Sequence, residues 1–226
     1  MFKEAWSYAW SLYRLRFGSV LLLGLTIAFP IQLLHMLFSG YFYMYFGFVD
    51  ALWLGDLFNM FLILVFMPLA QVPFIQMALT EYRGEVTHLG DAYRASLKYM
   101  FSVYLFGLIY ALSVTFGTLL LLVPGLVLMV LFFAYPYVLV ITGRKGWSIW
   151  KETYVFAKKH FFKLIAAIVI FGVVEWLIGT LLLFGSLQFT QRYILINFTQ
   201  MGVNLLVLPL FVFVVAYYCM DWFGVN

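Results

Sequence analysis

The stretch that decides the fold is residues 101–142, FSVYLFGLIYALSVTFGTLLLLVPGLVLMVLFFAYPYVLVIT, which contains no Asp, Glu, Lys or Arg. A helix needs roughly 20 apolar residues to cross a bilayer core. The stretch is therefore too long for one crossing and long enough for two. Its strongest turn signal is the Pro124-Gly125 dipeptide. The sequence predicts two membrane spans here, about 101–122 and 124–142, joined by a tight hairpin.

The rest of the chain has the same apolar character. Of its 226 residues, 66% are hydrophobic and only 10% are charged, whereas an ordinary soluble domain has about 25% charged residues. A soluble fold of this size could not bury so much apolar surface. We therefore expect an all-α integral membrane protein with six transmembrane helices, forming a single domain over residues 1–226. The other four predicted spans are about 17–38, 57–79, 161–184 and 194–219.

The basic residues predict the orientation. Of the 13 Lys and Arg residues, 12 precede the first span or lie in or next to the connections after the second and fourth spans. Those segments share one side of a six-span protein, and the positive-inside rule places that side in the cytoplasm. Only Arg192 falls on the other side. We expect a multi-pass protein of the bacterial cytoplasmic (inner) membrane with both termini in the cytoplasm.

Three amphipathic segments precede spans on the basic side, about 2–16, 88–100 and 147–160. Each places aromatic or other apolar residues on one helical face and basic residues on another. This pattern is typical of helices that lie in the headgroup layer of a membrane. In the last segment we expect Lys151, Lys158 and Lys159 to contact anionic lipid headgroups.

The third of these units resembles a known family. The stretch LLLLVPGLVLMVLFFAYPYVLV, followed by a short turn and GWSIWKETYVFAKKHFFKL, is similar to a bacterial six-span inner-membrane family of unknown function. The resemblance is carried by Pro124 and Pro136, by Thr153, and by the basic step at residues 158–160. Family members often have an acidic residue where this chain has residues 141–143, Ile-Thr-Gly.

The resemblance implies a fold more than an activity. The same membrane domain is found fused to some glycerophosphodiester phosphodiesterases, and it also occurs alone. The phosphodiesterase activity of those fusions belongs to a separate soluble domain that this sequence lacks. The resemblance therefore implies a six-span membrane domain without phosphodiesterase activity.

Catalytic and metal-binding patterns are not found in the sequence. The three histidines, His35, His88 and His160, do not form an HExxH motif, and there is no glycine-rich phosphate loop or G-x-S-x-G elbow. We expect His35 to pack at an interface rather than to bind a ligand. The sequence predicts no enzymatic activity, no catalytic residues, no metal and no cofactor.

One ionisable residue lies deep in a span, and such residues are functional candidates. Glu175 is predicted to face the sixth span, where Asn197, Gln200 and Asn204 share one helical face at i, i+3 and i+7. Arg192 is predicted to reach this group from above. The candidate site has two interpretations. One is a structural hydrogen bond made by a neutral carboxyl, and the other is a proton- or ligand-responsive site in a cavity open to the outer face.

These features leave several functions open. The leading hypothesis is a non-enzymatic accessory, protective or homeostatic role exerted through contacts with lipids or a partner protein. The expected partners are membrane lipids, with anionic headgroups on the cytoplasmic face, and then a partner membrane protein or a homo-oligomer. Nucleic acid is not expected. The alternative is a small transporter or a permease subunit of a transport complex. An intramembrane enzyme that modifies lipids is the least expected.

Overall fold

The computed structural model describes residues 2–144, 146–187 and 193–225, and every regular element in these ranges is a helix. A π-helical segment, Gly24–Ala28, connects the second and third α-helices. The α-helices are α1 (Phe2–Leu15), α2 (Phe17–Leu23), α3 (Phe29–Phe48), α4 (Leu52–Tyr82), α5 (Leu89–Leu120), α6 (Leu122–Phe132), α7 (Tyr135–Thr142), α8 (Ser148–Leu187) and α9 (Tyr193–Phe223).

Six helical stretches within the described residues are long and apolar enough to cross a membrane, which confirms the predicted number of spans. The first combines α2, the π-helical segment and α3, and the fourth combines α6 and α7. The stretches are Phe17–Phe48, Leu52–Tyr82, Leu89–Leu120, Leu122–Thr142, Ser148–Gly185 and Ile196–Phe223.

The hairpin between the third and fourth spans turns at Leu121, whose backbone is extended (φ −158°, ψ 138°). The turn predicted from the sequence is at Pro124-Gly125. Pro124 instead lies in the first turn of α6, where its missing N–H breaks no helical hydrogen bond. Gly125 is needed for packing, because a Cβ atom there would lie 2.7 Å from the backbone nitrogen of Thr118. The structure therefore moves the turn three residues toward the N-terminus.

The three amphipathic segments join their spans in different ways. Helix α5 runs without a break from Leu89, so residues 89–100 and the third span belong to one helix, and His88 is its N-cap. In α8 the backbone leaves helical geometry at His160 (φ −105°, ψ 16°), where the predicted amphipathic segment meets the fifth span. Helix α1 is separated from α2 at Arg16 (φ −113°, ψ 23°). That these segments lie in the headgroup layer stays a prediction.

Helix α1 packs against the bundle through its small residues rather than its tryptophans. Ala5 and Ala9 are fully buried, whereas Trp6 and Trp10 are 40% and 46% exposed. The Tyr8 hydroxyl donates a hydrogen bond of 2.7 Å to the carbonyl of Ala78 on α4. Burial, helped by the nearby Glu81 carboxyl, raises the pKa of Tyr8, so the phenol stays a neutral donor.

The main core lies at one end of the bundle. We call this the basic half: it contains α1, the end of α4, α7, the first part of α8 and the second half of α9. The stretch from Tyr135 to Ile141 is buried at every position, and so is the stretch from Phe211 to Ala216. We call the opposite part, which contains the turns at residues 49–51 and 121, the far half. The candidate site lies there.

Candidate functional site: a polar cavity next to an apolar one

Glu175 occupies a position that continues the buried face of α8. The buried residues along that face recur every three or four positions, as expected for one side of a helix: Ile149, Thr153, Phe156, His160, Leu164, Ala167 and Phe171. The next two positions on this face are Glu175, which is half-buried, and Gly179, which is buried. The carboxyl is therefore on the side of α8 that faces the other helices.

Helix α9 faces this part of α8 with its amide side chains. A Cβ atom on Gly179 would lie only 2.7 Å from the Nε2 atom of Gln200. The glycine therefore allows Gln200 to lie against α8, one turn from Glu175. Asn197 and Asn204 lie one turn to either side of Gln200 on the same face of α9.

These residues line one cavity of about 490 Å³. Four of the five predicted site residues belong to its lining: Glu175, Asn197, Gln200 and Asn204. The fifth, Arg192, lies outside the described residues. Helices α3 and α4 form the opposite wall, so four helices line the cavity in the far half.

Helix α3 also contributes polar residues to the cavity lining, and these were not predicted from the sequence. Gln32, His35 and Ser39 all line the cavity, and their spacing is i, i+3 and i+7, the same pattern that marked α9. The Ser39 hydroxyl donates a hydrogen bond of 2.8 Å to the Oδ1 atom of Asn59 on α4. The His35 ring packs edge-on to Phe66 at 6.4 Å between ring centroids. Its packing role was expected, but its place on a cavity wall was not.

A second, smaller cavity of about 230 Å³ lies between α4, α5, α6, α8 and α9. Ile63, Met67 and Glu175 line both cavities. The rest of the second lining is mostly aliphatic and aromatic: Leu64, Pro68, Tyr110, Met129, Phe133, Ile168, Phe171, Val207, Leu208 and Phe211. Because three residues are shared, the two cavities adjoin, and Glu175 is at their junction.

The apolar cavity contains an unusual polar group. Gln71 lines it, is only 1% exposed, and has an Oε1 atom without a hydrogen-bond partner. Pro68 has no N–H, so the carbonyl of Leu64 lacks its usual helical donor. Both features add hydrogen-bond acceptors to a cavity that is otherwise apolar.

The two cavities overlap along α4, where residues 59–70 line the polar one and residues 63–71 the apolar one. Along α9 they follow one another, because residues 197–204 line the polar cavity and residues 207–211 the apolar one. Glu175 belongs to both linings.

The formal charge carried by the described lining residues is negative. Within the described part of the chain, neither cavity is lined by Lys or Arg, and Glu175 is the acidic residue that lines both. Residues 2–144, 146–187 and 193–225 contain no group of three or more His, Cys, Asp or Glu side chains that could hold a metal ion. The chemistry that these residues offer is hydrogen bonding and charge pairing.

The other predicted contact residues lie away from the cavities. Lys151 and Lys158 are exposed on the first part of α8. The Lys159 ammonium lies 4.4 Å from the centroid of the Trp222 ring. These lysines are in the basic half, so the structure separates the predicted headgroup contacts from the predicted intramembrane site.

Comparisons with protein-family models, with curated proteins and with solved structures find no match to this chain. The predicted relation to the membrane domain of glycerophosphodiester phosphodiesterases therefore stays a prediction. The function must be inferred from the residues of the site itself.

Proposed function

We propose that this protein binds an amphiphilic, lipid-like molecule in the two joined cavities. In this proposal it has a non-enzymatic accessory or homeostatic role in the membrane, exerted through lipid contacts. The observation that carries the proposal is the position of Glu175 at the junction of a polar and an apolar cavity. An amphiphile has the same two-part chemistry, a polar head and a hydrocarbon chain.

Physical arguments support an occupant of this kind. An apolar cavity gains little from water, and hydrocarbon fills it favourably. The buried polar atoms without partners are costly, by about 1–3 kcal/mol each, unless a ligand or water satisfies them. Four of them belong to lining residues of the cavities: Gln32 Nε2, His35 Nε2, Gln71 Oε1 and Asn204 Oδ1. A ligand headgroup in the polar cavity would lie among three of these residues, Gln32, His35 and Asn204.

The proposal can be tested by filling the cavities. Gly40 lines the polar cavity and Gly172 the apolar one, and a Cβ atom at either would meet no atom within 4 Å. Phenylalanine at either position would occupy cavity space without displacing a neighbour of the Cβ atom. Gly202 is the matched control, because its Cβ would also meet nothing within 4 Å and it lines neither cavity.

The measurement is the lipid retained by purified protein, counted by native mass spectrometry. We expect Gly40→Phe and Gly172→Phe to retain several-fold less lipid than wild type, and Gly202→Phe to retain the wild-type amount. Equal retention by all four proteins, each monodisperse in gel filtration, would rule out the cavities as the binding site.

A small transporter is the second candidate, favoured by interruptions in the helices around the cavities. The π-helical segment Gly24–Ala28 precedes Pro30, and Pro68 and Pro73 flank Gln71 in α4. Broken helices beside a midplane site are common in transporters. A fluorescent lipid in reconstituted vesicles distinguishes the two functions. Faster crossing with wild type, lost in Gly172→Phe, favours transport, and no acceleration favours the accessory role.

We also propose that the protein resides in a bacterial cytoplasmic membrane with both termini in the cytoplasm. The support is the 12 of 13 basic residues that precede the first span or lie in or next to the connections after the second and fourth spans. On this orientation, α1 and the part of α8 before His160 lie in the headgroup layer. Lys151, Lys158 and Lys159 would then contact anionic lipids.

Cysteine labelling of intact cells tests the orientation after Cys219 is replaced. Val49 and Val86 lie in opposite connections and are 57% and 70% exposed. A cysteine at position 49 should react with an impermeant reagent from outside, and a cysteine at position 86 should react only after lysis. The reverse pattern would contradict the proposed orientation.

A further inference from the structure

The linings of the two cavities are rich in hydrogen-bond acceptors. The Glu175 carboxyl belongs to both linings, and the Oδ1 atom of Asn204 is buried without a partner in the polar cavity. The Oε1 atom of Gln71, a residue that is only 1% exposed, is in the same state in the apolar cavity. Pro68 has no N–H, so the Leu64 carbonyl lacks its usual helical donor and adds a fourth acceptor. These walls therefore favour a ligand that brings hydrogen-bond donors.

Charge selects further among such ligands. No Lys or Arg among the described residues lines either cavity. A carboxylate inside a membrane protein is stable when a cation pairs with it, and a second negative charge nearby is strongly disfavoured. The junction therefore favours a positively charged group and disfavours a headgroup that is only anionic.

The wall formed by α3 offers a complementary feature. The amide Nε2 atom of Gln32 is a donor without a partner, and the His35 Nε2 atom is also unpartnered. Both residues line the polar cavity across from α8. This wall suits an acceptor such as a phosphodiester oxygen, so the two walls together suit a headgroup with an ammonium on one side and an acceptor on the other.

We infer that the ligand class of this site is an amphiphile with a primary ammonium head. The ammonium supplies one positive charge and N–H donors to the Glu175 carboxyl, the acidic group that lines both cavities. Phosphatidylethanolamine and simple long-chain amines share this chemistry. The inference rests on the proposed function, that the joined cavities bind an amphiphile, and adds which headgroup they select.

The experiment presents purified protein in nanodiscs with equal amounts of phosphatidylethanolamine, phosphatidylcholine and phosphatidylglycerol, and measures the lipids retained after extraction. We expect phosphatidylethanolamine to exceed both others, since choline carries no N–H and phosphatidylglycerol carries no cation. Glu175→Gln should lower the ratio of phosphatidylethanolamine to phosphatidylglycerol by about tenfold, the effect of losing one charge-assisted hydrogen bond.

Asp50→Asn is the matched control for the charge. Asp50 is exposed, lines neither cavity, and has a left-handed backbone (φ 52°) that Asn adopts readily. It should leave the lipid ratio unchanged. If Glu175→Gln fails to fold, the ratio of phosphatidylethanolamine to phosphatidylglycerol retained by wild type gives the decision.

A displacement experiment distinguishes the two kinds of ligand that carry a primary ammonium, phosphatidylethanolamine and simple long-chain amines. Displacement of the lipid by dodecylamine assigns the selectivity to the ammonium and chain, whereas displacement only by lysophosphatidylethanolamine shows that the phosphodiester is also needed. Equal retention of phosphatidylethanolamine and phosphatidylglycerol by wild type would overturn the inference, as would an unchanged ratio in Glu175→Gln. If the proposed function itself were wrong, the result would differ: the cavity-filling variants Gly40→Phe and Gly172→Phe would retain as much of every lipid as wild type.

Discussion

The two halves of the bundle use the same kind of helix in opposite ways. In the basic half, α8 buries a regular face from Ile149 to Ala167, and α7 is buried at every position from Tyr135 to Ile141. In the far half, Gly179 is the single buried position of α8 between residues 172 and 185, and α3 buries only Ile31 and Ser39. One half is packed side chain against side chain, and the other leaves space.

This difference separates stability from binding. Close packing provides most of the free energy that holds a folded structure together, and empty space costs part of it. Binding sites need that space, and the buried polar groups in them that lack a protein partner are satisfied by a ligand or by water. We therefore expect substitutions in the basic half to change stability, and substitutions around Glu175 to change ligand binding.

The largest expected effect is a difference in lost stability between alanine substitutions of two phenylalanines on α8. Phe156 is fully buried and packs against His160 and Phe223, with centroid distances of 5.0 and 6.3 Å. Phe184, in the far half, is 64% exposed. Phe156→Ala should lower the free energy of unfolding by about 3–5 kcal/mol, and Phe184→Ala by less than about 1 kcal/mol. Unfolding in mixed micelles measures both, and equal losses would contradict the division into two halves.

The next largest expected effect is a loss of stability at the hairpin between α5 and α6. This hairpin is tightly packed although it lies in the far half. A Cβ atom at Gly125 would lie 2.7 and 2.8 Å from backbone atoms of Thr118, which cannot move as a side chain end can. Gly125→Ala should therefore cost about 1–3 kcal/mol. The control is Gly18→Ala, where a Cβ atom would meet nothing within 4 Å. It should be neutral or stabilising by up to about 1 kcal/mol. The same unfolding assay compares them, and a neutral Gly125→Ala would show that the hairpin can open.

The six spans could be predicted from the sequence because the length of an apolar run is enough to identify a crossing. The position of the third turn could not. Proline is acceptable in the first turn of a helix as well as in a loop, so Pro124 did not distinguish a turn at Leu121 from one at its own position. Only the approach of Gly125 to Thr118 in three dimensions settles where the chain reverses.

The candidate site was predictable in part. Helical spacing alone identified the polar face of α9, and the same rule applied to Gln32, His35 and Ser39 would have identified the wall on α3. His35 taken alone predicts packing at an interface, because the polar face of α3 is recognisable only when Gln32 and Ser39 are included. No pattern in the sequence predicts the apolar cavity beside Gln71, because this cavity depends on how five helices tilt around one another. Spacing along one helix does not contain that information.

The smallest expected effect is the loss of an ion pair next to α1. It tests whether charge or packing holds this helix in the basic half. Arg16 forms an ion pair of 3.3 Å with Glu81 at the end of α4, and Thr87 donates a hydrogen bond of 2.8 Å to the same carboxylate. The pair is only partly buried, with side-chain exposures of 32% and 23%. Solvent screening limits such a pair to about 0.5–1 kcal/mol, so Glu81→Gln should cost no more than that.

Asp91→Asn is the matched control for Glu81→Gln. Asp91 pairs with Arg94 at 3.8 Å, and the two side chains are 42% and 85% exposed, so its loss should leave the free energy of unfolding unchanged. The loss in Glu81→Gln should also shrink in 1 M salt, where charges are screened within about 3 Å. A cost of several kcal/mol would mean that charge, and not the buried alanines of α1, attaches this helix. A salt-independent cost would instead assign the effect to the hydrogen bond from Thr87.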